Sequence, residues 1–269
     1  MALVDDTQRE VDFWGRVGDR FPSLKGATST GYYFECERLL LEDLAGNLGG
    51  LRILKTDLWD EAKNTEILRW AAEQGARTFG VDLSGPIVRQ ARTVLAGHGA
   101  HVVVADVRHL PFRAACVDLV YSMGTIEHFP DFDAAVREIF RVLRPGGRAV
   151  VGVPNKLDPF LRPLLVHVLG RLGLYAYGME RSFTPRELRR LLAGAGFEVR
   201  AVSGILFMPG WLRMLDLWCH VHGWRRAARV TGWLVQPFAW LYRNFPVVRR
   251  HGYLIACLAE KPGLRETSR

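Results

Sequence analysis

The chain has 269 residues, 49% hydrophobic and 24% charged, with 27 Gly, 13 Pro and 4 Cys. That length and apolar content suffice for a sizeable core, and they exclude collagen-like, disulfide-stapled and wholly disordered classes. The formal net charge of +8 admits nucleic acid or anionic lipid as a partner, so where the charge sits decides between them.

The first residues carry Asp5, Asp6 and Glu10 without an apolar run. They read as neither a secretory signal nor a transit peptide, and a cytoplasmic protein is expected. Cys36, Cys116, Cys219 and Cys257 lie far apart, without metal-ligand spacing, and are expected as free thiols with no metal. From Leu51 onward, short apolar runs alternate with amphipathic ones, the pattern of a parallel sheet covered by helices. Strands are expected at 51–54, 77–81, 101–105, 117–122 and 148–153. A helix is expected over 65–74, another capped by Ser84 with Pro86 in its first turn, and a third from Asp131 to Leu143, ended by Pro145-Gly146-Gly147. Thr184, Pro185 and Glu187 form a capping box, and 197–202 and 253–258 are the remaining strand candidates.

Two segments break the alternation. Residues 158–178 place Phe160, Leu161, Leu164, Leu165, Val168, Leu169 and Leu172 at helical spacing. Residues 205–250 hold seven arginines against the single acid Asp216, with Trp211, Trp218, Trp224, Trp233 and Trp240 among them.

In an open parallel sheet, ligands bind beyond the carboxyl ends of the strands. Lys55 to Glu61, Asp82, Asp106 and Met123 to His128 all fall there. Asp82 is suited to accept both hydroxyls of a ribose, and Asp106, followed by Leu110-Pro111-Phe112, to meet an adenine amino group.

Taken in order, Gly80-Val81-Asp82-Leu83-Ser84, Ala105-Asp106, Val117-Asp118-Leu119-Val120, Ile126-Glu127-His128-Phe129-Pro130-Asp131 and Val142-Leu143-Arg144-Pro145-Gly146-Gly147 resemble the motifs of class I S-adenosylmethionine-dependent methyltransferases of the small-molecule, type 11-like kind. The resemblance covers about 51–202. It implies an α/β fold with a Rossmann-like, seven-stranded, mostly parallel sheet, helices on both faces and helical insertions, with 253–258 antiparallel beside 197–202. The organisation that follows is an N-terminal helical lid (1–50), a methyltransferase core (51–203), a basic Trp-rich helical insertion (204–250), a last core strand (251–261) and a disordered tail (262–269). The resemblance also implies S-adenosylmethionine as cofactor, with Asp82, Leu83, Asp106, Val107 and Met123 around it and Glu127 and His128 facing the transfer site.

The family's first motif, an acid followed by Gly-x-Gly-x-Gly, reads here Lys55-Thr56-Asp57-Leu58-Trp59-Asp60-Glu61. Asp57, Trp59 and Glu61 take the glycine places. Glycine there lets the backbone approach the methionine moiety, so Trp59 is expected to fill ligand space. In a rebuilt pocket Lys55 meets the ligand carboxylate, and Asp57, Asp60 or Glu61 its ammonium or sulfonium. In the alternative, Lys55 pairs internally with Asp57 or Glu61 and the site is filled, leaving a non-catalytic binding protein or an enzyme for a different ligand.

Methyl transfer needs a base only when the acceptor must lose a proton, and His128 is the candidate, oriented by Glu127. Tyr32, Tyr33 and Glu35 are candidates for the lid. In the basic insertion, Trp211, Leu215, Trp218 and His222 share one helical face. Val230, Trp233, Leu234, Phe238 and Leu241 share another, before or across a kink at Pro237. No stretch has the uncharged apolar length of a spanning helix. Such helices suit an anionic membrane headgroup region, with a lipid-like or other hydrophobic acceptor entering there and the protein peripheral at the inner face of the membrane; a cap or a dimer interface is the alternative. Nucleic acid does not fit, because the charges accompany apolar faces and the chain has only 5 lysines.

Overall fold

The computed structural model describes residues 2–263, with side chains described from residue 7; the expected unstructured tail beyond 263 lies outside them. Seven strands form one sheet: β1 (Arg52–Lys55), β2 (Arg77–Asp82), β3 (His101–Val104), β4 (Val117–Met123), β5 (Leu143–Pro154), β6 (Glu198–Ile205) and β7 (Leu254–Glu260). Their order is β3-β2-β1-β4-β5-β7-β6, parallel except that β7 runs antiparallel to both neighbours. The strand order reverses at β1 and β4, which opens a crevice beyond their carboxyl ends.

Ten helices flank the sheet among the described residues: α1 (Ala2–Arg20), α2 (Thr28–Ala45), α3 (Trp59–Lys63), α4 (Ile67–Glu73), α5 (Gly85–Val94), α6 (Phe132–Val142), α7 (Arg162–Arg171), α8 (Pro185–Gly194), α9 (Gly210–Val221) and α10 (Arg225–Asn244). The local signals explain several ends. Ser84 caps α5 by accepting from the Ile87 amide, with Pro86 in the first turn. Thr184 and Glu187 complete a capping box on α8. Leu119, Val120, Val150, Val151, Ala256 and Cys257 are fully buried, because α6 and α8 cover one face of the sheet while α2, α4 and α5 cover the other.

Three boundaries differ from the sequence reading. The helix expected over 65–74 is α4 and starts only at Ile67, because Glu66 adopts a left-handed conformation (φ 62°); the short α3 before it has no counterpart in the sequence reading. The fifth strand starts at Leu143, and Pro145-Gly146-Gly147 form an irregularity within it. Pro237 sits inside a single continuous α10. The faces of α10 also shift: Thr231, Gly232, Val235, Ala239 and Tyr242 turn inward, and Val230, Trp233 and Leu234 face solvent. Gly232 lets α10 close on α2, since a Cβ there would lie 2.6 Å from Thr28 Oγ1.

The N-terminal fifty residues divide by role. Helix α1 lies on α5 over the crevice. Helix α2 packs into the core, where Tyr32 meets Tyr242 edge-on, and Glu35 pairs with Arg243 at the surface. Of the proposed lid residues only Tyr33 borders the crevice; Trp14 and Phe21 supply the cover instead.

Candidate active site

A cavity of about 520 Å³ occupies the crevice, roofed by α1 and walled by α7 and α9. That volume lies in the range of small-molecule and cofactor sites.

At one end, Asp82, Leu83, Ser84, Ile87, Ala105 and Val107 line the wall. Asp82 accepts from the Leu58 amide through Oδ2 at 2.8 Å and from the Ser84 amide through Oδ1 at 2.7 Å. Each oxygen keeps a second lone pair. Burial pushes the Asp82 carboxyl up to about 7, with the two amides opposing. Asp106 is absent from this wall. Its carboxylate is held by Arg108, which also reaches Glu10 of α1 at 2.5 Å. Against the expectation that Asp106 meets an adenine, its acceptors serve a clamp between the β3 loop and α1, while its neighbours Ala105 and Val107 and, with them, Leu83 border that end of the cavity.

Next comes the segment standing in place of the glycine-rich motif. Lys55 has no exposure, and its Nζ lies 3.0 Å from Asp57 Oδ1, 3.0 Å from Asp60 Oδ2 and 3.4 Å from Glu61 Oε2. Burial works against the ammonium, but Asp57, Asp60 and Glu61 outweigh it and hold its pKa well above the ordinary lysine value. Glu61 is equally buried, its carboxyl raised to about 7 by burial, and it accepts from the Leu68 amide. Neither Lys55 nor Glu61 borders the cavity. The expectation that they meet a ligand directly is corrected: three acids close around Lys55, and internal pairing is satisfied first. Asp57 and Asp60 do border the cavity. Trp59 lies to the side, edge-on to Phe21 and Tyr177, and lines the space without filling it.

Beyond β4, Met123, Thr125, Glu127 and His128 face the cavity. His128 Nδ1 lies 2.8 Å from the Met179 carbonyl oxygen. A carbonyl only accepts, so Nδ1 carries the proton and Nε2 is the free acceptor. Burial lowers the His128 pKa, so the ring is neutral at physiological pH. Glu127 is 2% exposed, and its Oε2 is buried without a hydrogen-bond partner among the described residues. Burial and the neighbouring Glu180 raise it well above the ordinary carboxylate range. Across from this pair, Arg162 is bidentate to Glu180, which also accepts from the Tyr175 hydroxyl, and its guanidinium lies 4.1 Å over the Tyr253 ring.

The mouth is apolar. Leu165 and Leu169 of α7 and Met214, Leu217, Trp218 and Val221 of α9 line it. Trp218 is 56% exposed and also lines the cavity, so the opening runs from the interior to the surface between these helices. Sequence reasoning missed Trp14, Arg162, Tyr177, Glu180 and Arg213. None sits in a motif, and their positions arise from tertiary packing alone.

A methyltransferase domain family matches residues 62–151. A Mycolicibacterium smegmatis protein described as a probable S-adenosylmethionine-dependent methyltransferase is 29% identical over 205 residues, covering 72% of this chain and 69% of its own. A demethylmenaquinone methyltransferase of Thermus thermophilus is 32% identical over 147 residues, 47% of this chain and 66% of its own. The chain thus spans about two thirds of the length of these curated relatives. The fold is shared with a Thermotoga maritima S-adenosylmethionine-dependent methyltransferase, described as a possible histamine N-methyltransferase, at TM-score 0.62 and 17% identity over 93% of this chain and 99% of that one. The family match, the relatives and the shared sheet order together support a class I S-adenosylmethionine-dependent methyltransferase, whose cofactor is S-adenosylmethionine.

The residues present fit that cofactor. Asp82 has two lone pairs left for ribose hydroxyls, Leu83 and Val107 offer an apolar slot, and Asp57 and Asp60 bring acids to the cavity wall.

Proposed function

We propose that this enzyme methylates a hydroxyl of a hydrophobic acceptor that enters between α7 and α9. The observation that carries the reading is the pairing of a neutral His128, its Nε2 free, with an apolar mouth at the carboxyl end of β4. When bound, S-adenosylmethionine supplies a methyl group on a positively charged sulfur. Asp82 would hold the ribose, and Leu83 and Val107 would flank the adenine. His128 Nε2 would accept the proton of the acceptor's hydroxyl, and the Met179 carbonyl keeps the ring in that tautomer. Glu127, uncharged in its buried setting, donates a hydrogen bond to the acceptor. Trp14, packed edge-on against His128 at 5.0 Å, and the rest of the roof exclude water.

The acceptor's apolar body lies along Leu165, Leu169, Met214 and Leu217. A relative from Idiomarina loihiensis is named a ubiquinone biosynthesis O-methyltransferase, and a phenol with an isoprenoid tail is the acceptor class to test first. No described helix is long and apolar enough to cross a membrane. The exposed tryptophans and arginines of α9 and α10 instead suit an anionic bilayer surface from which such an acceptor is drawn. The test is transfer of labelled methyl from S-adenosylmethionine to phenolic acceptors with isoprenoid tails of increasing length. Turnover rising with tail length supports the reading. Binding of the cofactor with no turnover on any of them points to a non-catalytic or different-ligand protein built on the same fold.

A further inference from the structure

Arg213 has no part in the reading above. It projects from α9, within the basic insertion, yet it is only 9% exposed and borders the cavity. One guanidinium nitrogen, Nη1, donates to the Ser29 carbonyl at 3.1 Å, and the group sits 5.0 Å from the centre of the Tyr33 ring. Its other two nitrogens make no hydrogen bond, and it forms no ion pair, among the described residues. A buried guanidinium with unspent donors facing a cavity calls for an anion.

Its neighbours sharpen the choice of anion. Thr30, next to Ser29, donates to Asn64 Oδ1 at 3.1 Å, and Asn64 donates to Asp60 Oδ1 at 2.9 Å. The Tyr33 hydroxyl is pushed upward by burial and by Glu37, Asp60 and Asp57, while Arg213 acts on it in the opposite sense. Arg213 and the Asp57/Asp60 pair therefore border the same end of the cavity. The acids there outnumber the one ammonium, Lys55, that is paired with them. A cation beside an excess of carboxylate is the complement of a zwitterion, whose carboxylate and ammonium are one carbon apart.

We infer that Arg213 binds the α-carboxylate of the cofactor's amino-acid end while Asp57 and Asp60 take its ammonium. Side-chain charges, one of them supplied by the insertion, thus do the work of the missing glycine-rich backbone. This assigns the carboxylate to Arg213, where the sequence pointed to Lys55. The inference rests on the reading that this cavity holds S-adenosylmethionine.

The experiment is calorimetric titration with S-adenosylhomocysteine and with 5′-methylthioadenosine, the same nucleoside thioether without the amino acid. The whole protein, R213Q and R213K are compared. R213Q is expected to weaken S-adenosylhomocysteine by roughly 10- to 100-fold, leave methylthioadenosine unchanged and be partly rescued by R213K. Unchanged methylthioadenosine binding also reports that the variant is folded. Equal losses for the two ligands, or no loss for either, overturn the assignment of Arg213 and leave the cofactor reading standing. Wild-type protein that binds neither ligand at millimolar concentration overturns both.

Discussion

The Lys55 ammonium and the Asp60 carboxylate lie 3.0 Å apart, closed off from solvent at the carboxyl end of β1. With Asp57 and Glu61 on the same ammonium, this strand end is organised by charge where the family uses glycine. Removing one partner of a buried ionic cluster leaves the others uncompensated, at a cost of about 3–5 kcal/mol. Lys55→Met is accordingly expected to lower the melting temperature sharply at pH 7. Part of the loss should return near pH 5, because the stranded Asp57 and Glu61 carboxyls, already pushed up by burial, then bind protons in the folded state. Thermal unfolding at both pH values decides: a variant as stable as the parent would mean that the cluster is solvated in solution.

Asp82 gives a pH signature of its own. Its folded value of about 7 lies above the ordinary aspartate value of about 3.9. The folded state thus holds a proton that the unfolded state releases. The stabilisation this provides is complete below about pH 4 and is lost as pH rises to about 7. Ligand binding runs the opposite way, because ribose hydroxyls donate to the ionised form. S-adenosylhomocysteine affinity is expected to climb as pH rises through 7 and then level off. Asp82→Asn is expected to bind about 10- to 100-fold more weakly and to lose that pH dependence. Titrations at pH 6, 7 and 8 test this; an Asn variant that keeps the parent's slope would mean that another group is titrating.

His128 and Glu127 predict contrasting variants. His128→Ala removes the proton acceptor, and with a hydroxyl acceptor kcat is expected to fall by about 10²–10⁴, with S-adenosylhomocysteine binding unaffected. Since burial lowers the His128 pKa, the acid limb of kcat at saturating cofactor should lie below the ordinary histidine value in the parent, and kcat should be flat above it. Glu127→Gln keeps the size, neutrality and donor of a carboxyl held protonated, and activity is expected within about threefold of the parent. Steady-state rates across pH 5–9 check both. A His128→Ala enzyme of near-parental kcat would remove proton transfer from the mechanism.

The sheet was legible because its strands are apolar runs between turn residues, β2 opening after Gly75 and closing on Asp82, and such carboxyl ends also marked the crevice. Asp82 was legible for the same reason, as an acid at a strand end. Asp106 misled because an identical position says nothing about Arg108 two residues on, which takes the carboxylate for a clamp to α1. Lys55 showed its possible partners by spacing alone, but whether it would face ligand or acids depends on how α3 folds back over β1. Arg213 was hidden among seven arginines of one segment. Sequence gives Arg213 and Arg225 the same weight, and only tertiary packing separates them: α9 lies on α2 and buries Arg213, while Arg225 at the start of α10 is exposed.

The mouth of the cavity makes the last prediction. Trp211, Trp218, Trp233 and Trp240 are each more than half exposed on α9 and α10, and Leu161, Leu164 and Leu172 are similarly exposed along α7. Arg225, Arg226 and Arg229 are exposed as well and form no ion pair among the described residues. Indole rings prefer the headgroup region, and each arginine near an anionic surface contributes about 1 kcal/mol. The protein is therefore expected to float with vesicles containing phosphatidylglycerol and to remain behind with purely zwitterionic ones. Replacing Trp211, Trp233 and Trp240 by Ser leaves the cavity lining untouched and should abolish flotation, as should Glu at Arg225, Arg226 and Arg229. Methyl transfer to a short-tailed, water-soluble acceptor should persist in both variants, and transfer to a vesicle-borne acceptor should fall. If the two variants float as the parent does, this face does not meet lipid and the acceptor reaches the mouth from solution.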